Sequence, residues 1–385
     1  MYPNLYYAFK DLFGVDWSGL KLINSFGFFV AIAFMVAASV LAAELKRKSK
    51  EGLMTYKEEK LVVGKPASFT DLLINFVLGF VLGYKLIGAF IDRNVLVDTQ
   101  SYILSSQGNW TAGIAAALLF TFLKWQEKNR VKLAQPEERV IRIWPQDRVG
   151  DMIIYAFIFG FLGAKIFHNL ENLEDLMKDP IGALISFSGL TFYGGLICAT
   201  IAIWQYCRRN NMKPLYVADA FAPTMMIAYG IGRIGCHVSG DGDWGIVNNS
   251  TKPFSWMPDW LWAYKYPHNV LNEGVPIPGC SGQYCAQLPN FVYPTALYEA
   301  IICILLFFFL WAIRKKIKTP GIMLSIYLMI NGLERFLVEL IRVNTRYHFW
   351  GINPTQAELI SVTFLLSGIV LWFYFKHKNT KTITA

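Results

Sequence analysis

Blocks of apolar residues, several of them close to twenty residues long, alternate with short polar segments along the chain. A helix needs about 20 predominantly apolar residues to cross a bilayer. The pattern therefore predicts an all-α, polytopic integral membrane protein with about nine transmembrane helices. The predicted spans are 21–44, 71–91, 109–123, 149–170, 189–207, 218–239, 293–313, 321–343 and 355–375. The third is the weakest, because it is short and begins with polar residues.

The composition of the 385 residues agrees with this interpretation. Hydrophobic residues make up 54% of the chain and charged residues only 16%, whereas a soluble domain carries about 25% charged residues. The composition argues against an ordinary soluble enzyme and against a disordered chain. The net charge of +9 would suit nucleic acid, but the basic residues fall in short clusters between apolar blocks. We therefore predict no nucleic-acid partner.

Lysine and arginine residues are concentrated in alternate segments between the predicted spans. One set of segments holds 24 of them: 45–70, 124–148, 208–217, 314–320 and 376–385. The other set holds six: 1–20, 92–108, 171–188, 240–292 and 344–354. Basic loops stay in the cytoplasm, so the N-terminus is expected outside and the C-terminus inside. No cleavable signal peptide is expected before the first span.

Two parts of the chain are expected from this topology. Residues 1–148 hold the N-terminal helices, including an inserted helical pair at about 71–123. Residues 149–385 form a membrane core, and its large loop, 240–292, forms a head over the outer face. Cys280 and Cys285 lie in this loop, outside the reducing cytoplasm, so a disulfide between them is plausible.

Several ionisable residues lie inside the predicted spans, near their outer ends. Arg335, Glu339 and Arg342 follow one another at helical spacing and are expected to share one helix face. Arg233 and Glu299 lie at a similar depth on other spans. Charges in a membrane pair with one another or line a polar cavity. They indicate a polar site that opens towards the outer leaflet, and the alternative is a charge ladder that only holds helices together.

Two other interpretations of this region are weaker. Gly230, Gly232 and Gly235 have the spacing of a dinucleotide-binding turn, but they lie within an apolar span and not after a strand. Glycines at this spacing more often allow membrane helices to pack closely. The segment from His237 to Asp243 lacks the spacing of a known metal site. We therefore expect neither a metal nor an organic cofactor.

Four short motifs occur in order in the second half of the chain. They are Tyr-Gly-Gly from Tyr193, Gly-Arg-Ile-Gly from Gly232, Tyr-Pro-Thr-x-Leu-Tyr-Glu from Tyr293, and Arg-Phe-x-x-Glu-x-x-Arg from Arg335. In this order they resemble the bacterial prolipoprotein diacylglyceryl transferases, from about residue 151 to the C-terminus. The resemblance implies transfer of the diacylglyceryl group of phosphatidylglycerol to the lipobox cysteine of a prolipoprotein signal peptide. Glycerol phosphate would leave.

The resemblance also implies a place and roles for particular residues. It implies a multi-pass protein of the bacterial inner membrane whose active site faces the outer leaflet and its lipids. The expected catalytic residues are Arg233, Arg335, Tyr193 and Glu339. The expected substrate-binding residues are Arg233, Arg342, Gly194, Gly195, His237, Ser239, Asp241, Tyr298 and Glu299. The arginines would hold the phosphate, since a guanidinium binds phosphate in a forked geometry.

The chain departs from the family pattern at several of these positions. Better-known members have histidine where this chain has Tyr193 and Tyr293, and asparagines at or near Cys236 and Ser239. The arginines are retained, and the identity of the proton acceptor is left open. Two alternatives follow: a relative that has lost transfer and binds phospholipid or signal peptides, and a membrane transporter. A transporter would place its charges near the bilayer midplane, whereas the charges of this chain lie near the predicted outer ends of the spans.

Overall fold

The computed structural model describes residues 1–91, 102, 105–185, 191–344, 347–348 and 353–383. Helices dominate this part of the chain and are numbered here in chain order. They are α1 (Leu5–Phe13), α2 (Ser25–Lys50), α3 (Phe69–Leu82), α4 (Gly88–Ile91), α5 (Trp110–Arg130), α6 (Val149–Glu171), α7 (Leu173–Lys178), α8 (Pro180–Ile185), α9 (Phe192–Arg209), α10 (Pro214–Ser239), α11 (Asp259–Trp262), α12 (Thr295–Ile313), α13 (Ile322–Glu339) and α14 (Gln356–Ile383).

The predicted all-α membrane fold is confirmed. Long helices occupy the nine predicted spans, and a π-helical turn, Gly83–Ile87, makes α3 and α4 continuous. Within the described ranges, six helical segments are long and apolar enough to cross a membrane. The number of spans and their orientation stay predictions. Residues 189–190 of the fifth predicted span, and parts of the outer segments 92–108, 171–188 and 344–354, lie outside the described residues.

Five helices, α2, α10, α12, α13 and α14, form the centre of the molecule. Helix α10 packs along α2 and α12, and α13 packs along α14. Small residues let these backbones approach: a Cβ on Gly332 would lie 2.6 Å from the carbonyl oxygen of Ser361, and one on Gly235 would lie 2.9 Å from the Cβ of Phe29. In a membrane, burial of apolar surface does not drive helices together, because the lipid tails are equally apolar. Helices associate there largely through close packing of small residues.

The remaining long helices form two hairpins, α3 with α5 and α6 with α9, in which each helix packs mainly on its partner. A Cβ on Gly83 would lie 2.4 Å from the carbonyl oxygen of Ala112, and one on Gly163 would lie 2.5 Å from that of Gly194. The residues predicted as an inserted pair therefore form a hairpin that is closed by glycines, like the hairpin that follows it. The division into two parts at residue 148 stays a prediction.

Segments that were assigned to the same membrane side meet in the structure. Strands β1 (Lys57–Val63) and β2 (Glu137–Ile143), which the sequence analysis did not predict, pair in antiparallel fashion. Arg148 Nη2 lies 2.5 Å from Glu59 Oε1, and Arg314 Nε lies 3.2 Å from Glu44 Oε2. These contacts agree with the predicted alternation of loops, although they do not say which end is cytoplasmic.

The loop 240–292 forms a small head at the opposite end. Two short strands, β3 (Val275–Pro276) and β4 (Ala286–Gln287), pair within it. Its apolar centre is built from Trp244, Tyr266, Leu288 and Val292. The disulfide between Cys280 and Cys285 is present, so that prediction is confirmed.

The orientation can be tested with single cysteines in exposed loops. Thr251→Cys, in the head, should react with a membrane-impermeant maleimide added to intact cells, because the head is predicted to lie outside. Thr55→Cys and Gln135→Cys, at the other end, should react only after the membrane is permeabilised. Labelling of Gln135→Cys in intact cells would contradict the nine-span topology.

Candidate functional site

Three arginines and three carboxylates from distant parts of the chain meet beneath the head. We call them the charge cluster: Arg233, Asp243, Glu299, Arg335, Glu339 and Arg342. Helix α10 supplies Arg233, the head loop Asp243 and α12 Glu299, while Arg335 and Glu339 lie on α13 and Arg342 follows it. The charges that were expected at one level on separate helices therefore lie together, and their role as a substrate site stays a prediction.

Glu299 lies at the centre of the charge cluster, and its side chain is fully buried. Its Oε2 is 2.5 Å from Arg233 Nε, and its Oε1 is 2.5 Å from Arg335 Nη1. Arg342 Nη1 approaches the same Oε1 to 3.5 Å. One carboxylate thus orients three guanidinium groups. An ionised carboxylate at this depth needs such partners, because burying an unpaired charge costs several kcal/mol.

Arg342 reaches the charge cluster by a different route from the predicted one. Helix α13 ends at Glu339, so Arg342 does not share a helix face with Arg335. The chain leaves the helix because Arg342 pairs with Gly245 as an antiparallel bridge, while the N–H of Ile246 donates to the carbonyl oxygen of Ile341 at 2.9 Å. The predicted i, i+4, i+7 ladder is therefore wrong at its last residue, although the first pair is correct.

Asp243 was not among the predicted site residues, yet it joins two of the arginines. One carboxylate oxygen accepts from Arg233 and the other from Arg342. Its side chain is 27% exposed, whereas those of Glu299 and Glu339 are fully buried. The sequence offered one signal for it, an acidic residue shortly after the helix that carries Arg233.

Glu339 links the charge cluster to residues that follow α13. Its Oε2 is 2.9 Å from Arg335 Nη2, within the same helix. Its Oε1 accepts from Asn344 Nδ2 at 2.5 Å and from the hydroxyl of Thr355 at 2.8 Å. Neither of these two residues was predicted, because both follow the last motif and meet Glu339 only through the fold.

Opposite charges balance in the charge cluster, with three arginines against three carboxylates. A guanidinium carries five N–H donors, so each arginine has more donors than its carboxylates occupy. Arg233 also lies over the ring of Tyr229, with 5.1 Å from its Cζ to the ring centroid. The arrangement can therefore accept a further anion, provided that the anion competes with the resident carboxylates.

Tyr193 approaches this cluster from the start of α9. Its half-buried side chain is close enough to Arg335 and Glu339 to interact with both electrostatically. Gly194 and Gly195, predicted to bind substrate, face α6, and their role in substrate binding stays a prediction. A Cβ on Gly194 would lie 2.3 Å from the Cβ of Phe167, and one on Gly195 would lie 2.8 Å from the carbonyl oxygen of Gly160. Their visible role is to bring the helix that carries Tyr193 close to α6.

Three other predicted residues make contacts within or beneath the head. The hydroxyl of Tyr298 donates to the carbonyl oxygen of Leu261 at 2.8 Å, and the buried Ser239 donates to that of Cys236 at 3.2 Å. Asp241 Oδ1 accepts from the N–H of Asp243 at 3.4 Å. The Tyr298 contact ties the head to the start of α12, whereas the contacts of Ser239 and Asp241 are local.

His237 lies beside the head and not within the charge cluster. Its Nδ1 is 3.3 Å from the hydroxyl of Tyr266. Burial raises the pKa of Tyr266 well above its ordinary value, so this phenol stays protonated and can donate to the imidazole. The pair links the end of α10 to the apolar centre of the head.

Cys236, Asp241 and Asp243 bring their sulfur and carboxylate atoms within 4.8 Å of one another. A metal ion could use such a group only if the carboxylates were available. Both oxygens of Asp243 accept from arginines, and two guanidinium groups beside the position would repel a cation. The residues do not fit a metal.

The sequence is similar to those of known bacterial enzymes. A family profile described as prolipoprotein diacylglyceryl transferase matches residues 112–374. A phosphatidylglycerol–prolipoprotein diacylglyceryl transferase from Leptospira interrogans is 26% identical over 99% of this chain and 98% of its own length. Relatives with the same name from Staphylococcus carnosus and Staphylococcus haemolyticus are 30% and 29% identical. They cover 61% and 60% of this chain, and 78% and 73% of their own lengths.

The packing role of Gly194 can be separated from substrate binding. Gly194→Ala places a methyl group against Phe167 and should destabilise the protein by about 1–3 kcal/mol, the usual cost of overpacking. Gly150→Ala is the matched control, because a Cβ on this helical glycine meets nothing within 4 Å. Melting in detergent should show a lower Tm only for Gly194→Ala. Unchanged melting with weaker binding of phosphatidylglycerol would favour a direct contact with lipid.

Proposed function

Because the chain belongs to the prolipoprotein diacylglyceryl transferase family, we propose that it transfers the diacylglyceryl group of phosphatidylglycerol to the lipobox cysteine of prolipoproteins. The observation that carries the proposal is the charge cluster, which retains the family's arginines at positions 233, 335 and 342 around one buried carboxylate. The substrates are a membrane lipid and a signal peptide. Both meet the protein in the bilayer.

The reaction exchanges one bond for another. The cysteine sulfur forms a thioether bond to the terminal glycerol carbon of the diacylglyceryl group, and the bond between that carbon and the phosphate oxygen breaks. The electron pair leaves with the oxygen, so glycerol phosphate departs with an added negative charge. Preorganised donors aimed at such a charge stabilise the transition state. We assign this role to Arg233 and Arg335, with Arg342 beside them.

The thiol must also lose its proton, because the thiolate is the nucleophile. Asp243, Glu299 and Glu339 each form an ion pair with at least one arginine. Nearby guanidinium groups favour the thiolate over the neutral thiol. We propose that Tyr193, whose side chain interacts electrostatically with Arg335 and Glu339, positions the head group or relays the proton.

The site is proposed to face the outer leaflet of the bacterial inner membrane. Two observations support this proposal. The distribution of basic residues predicts that the head lies outside, and the charge cluster lies directly beneath the head. Phosphatidylglycerol could then enter laterally, with its phosphate at the level of the arginines.

A second function, lipid binding without transfer, is favoured by one observation. Tyr193 stands where better-known relatives have histidine, and the three site carboxylates are engaged by arginines. A relative that has lost transfer would keep the phosphate-binding groups and lack an efficient base. It would bind phosphatidylglycerol and leave a lipobox peptide unmodified.

Arg233 provides the sharpest test of the transfer reaction. Lysine keeps the positive charge but loses the planar fork. Removing one preorganised donor to an oxyanion costs about 10²–10³ in rate, so Arg233→Ala should lose at least that much and Arg233→Lys most of it. The measurement is the rate of thioether formation on a lipobox peptide, followed by mass, in membranes that contain phosphatidylglycerol.

Arg314→Lys is the matched control for Arg233→Lys. Both arginine side chains are 14% exposed and pair through Nε with a buried glutamate, but Arg314 lies at the opposite end of the molecule. Arg314→Lys should keep its transfer rate. Wild-type transfer by Arg233→Lys would show that Arg233 only holds helices together, and a peptide left unmodified by the wild-type protein would favour lipid binding alone.

Tyr193→Phe tests the hydroxyl of Tyr193 by itself. If the hydroxyl relays a proton or positions the head group, the rate should fall by about 10²–10⁴, the contribution of a positioned acid or base. The detergent-melting temperature should stay unchanged, because the ring is retained. A full transfer rate would limit Tyr193 to packing.

A further inference from the structure

We infer that Thr355 is a positioning residue for the reaction: its hydroxyl holds Glu339, and through it Arg335, in the geometry that binds the lipid phosphate. This inference rests on the proposed function. Thr355 lies outside the four family-like motifs, directly before α14, and its side chain is only 4% exposed. Its role depends on contacts that bring the end of the chain back to the charge cluster.

The hydrogen bonds of Thr355 fix the direction of its hydroxyl proton. The N–H of Glu358 donates to Oγ1 at 3.1 Å, so the hydroxyl oxygen acts as an acceptor on that side. A hydroxyl has one proton to give, and the carboxylate Oε1 of Glu339 lies 2.8 Å from Oγ1. The proton must therefore point at Glu339. The backbone N–H of Thr355 in turn donates to Glu358 Oε2 at 2.9 Å.

These contacts form a reciprocal cap on the first turn of α14. A capping threonine has an ordinary structural role, which is to satisfy a free N–H at the helix start. Thr355 has a second role, because its hydroxyl proton is donated to the carboxylate of Glu339, on another helix.

The consequence for the site follows from how Glu339 is held. Oε2 faces Arg335, while Oε1 is fixed by Thr355 and Asn344. Two donors on one oxygen prevent the carboxylate from rotating, so Oε2 keeps its place beside Arg335 Nη2. If the donor at position 355 is lost, Glu339 can turn and Arg335 loses its fixed orientation. The phosphate would then meet a less preorganised arginine.

Four substitutions separate positioning from capping. Thr355→Ser keeps both the acceptor and the donor. Thr355→Asp keeps a capping acceptor, since aspartate is a good N-cap, but it has no proton to give to Glu339. Thr355→Val removes both functions at nearly constant shape. Thr363→Val is the control, because the hydroxyl of Thr363 donates only to its own helix, at the carbonyl oxygen of Leu359.

Two quantities are measured for each variant: kcat/KM for transfer to a lipobox peptide, and the affinity for phosphatidylglycerol in nanodiscs that contain it as the only anionic lipid. A hydrogen bond to a charged group contributes about 1.5–3 kcal/mol, so Thr355→Asp and Thr355→Val should lose about 10- to 100-fold in kcat/KM and bind the lipid more weakly. Thr355→Ser and Thr363→Val should stay within about twofold of wild type. Thr355→Val should show a lower Tm because it removes the cap, and Thr355→Asp should show one because it places a second carboxylate beside the buried Glu339.

The two readouts keep this inference distinct from the proposed function. If Thr355→Asp matches Thr355→Ser in both kcat/KM and lipid affinity, Thr355 is only a helix cap and the inference is overturned. If the wild-type protein binds phosphatidylglycerol but transfers nothing, the proposed function fails. The lipid affinities of the variants then decide the inference by themselves.

Discussion

The buried carboxylate of Glu299 is the contact on which the rest of the site depends. It lies on α12, and it receives arginines from α10, from within α13 and from the segment after α13. A buried ion needs its partners in place, so this residue fixes how three separate parts of the chain stand relative to one another. Removing it would leave three guanidinium groups without their common partner at the end of the molecule beneath the head.

Glycine packing provides the second constraint. Gly163 and Gly194 bring the backbones of α6 and α9 so close that a Cβ on either would touch the other helix. This approach sets the position of Tyr193, one residue earlier, beside the charge cluster. Lipid gives helices no hydrophobic reason to associate, so the fold relies on small residues in the hairpins and on ion pairs at the site.

The sequence was most informative where a single segment carried the signal. Each apolar block forms a helix. Arg233, Arg335 and Glu339 lie within such blocks, so the sequence assigned them to helices correctly. Arg342 was assigned to a helix that ends at Glu339, since its actual position depends on backbone pairing with Gly245, almost one hundred residues earlier. Asp243 and Thr355 were missed because their contacts form between separate elements: Asp243 joins Arg233, 10 residues earlier, to Arg342, 99 residues later, and Thr355 reaches Glu339, 16 residues earlier.

The balance of charge in the site has a consequence for how a phosphate binds. Each of the three carboxylates is already paired with an arginine, so an arriving phosphate competes with them for arginine donors. Glu299 and Glu339 are fully buried, whereas the side chain of Asp243 is 27% exposed and lies on the head loop. Water can solvate Asp243 when it gives up an arginine, which makes its displacement the least costly of the three. Under the proposed function, phosphate binding would therefore be coupled to the head through Asp243, with Glu299 and Glu339 keeping the arginines in place.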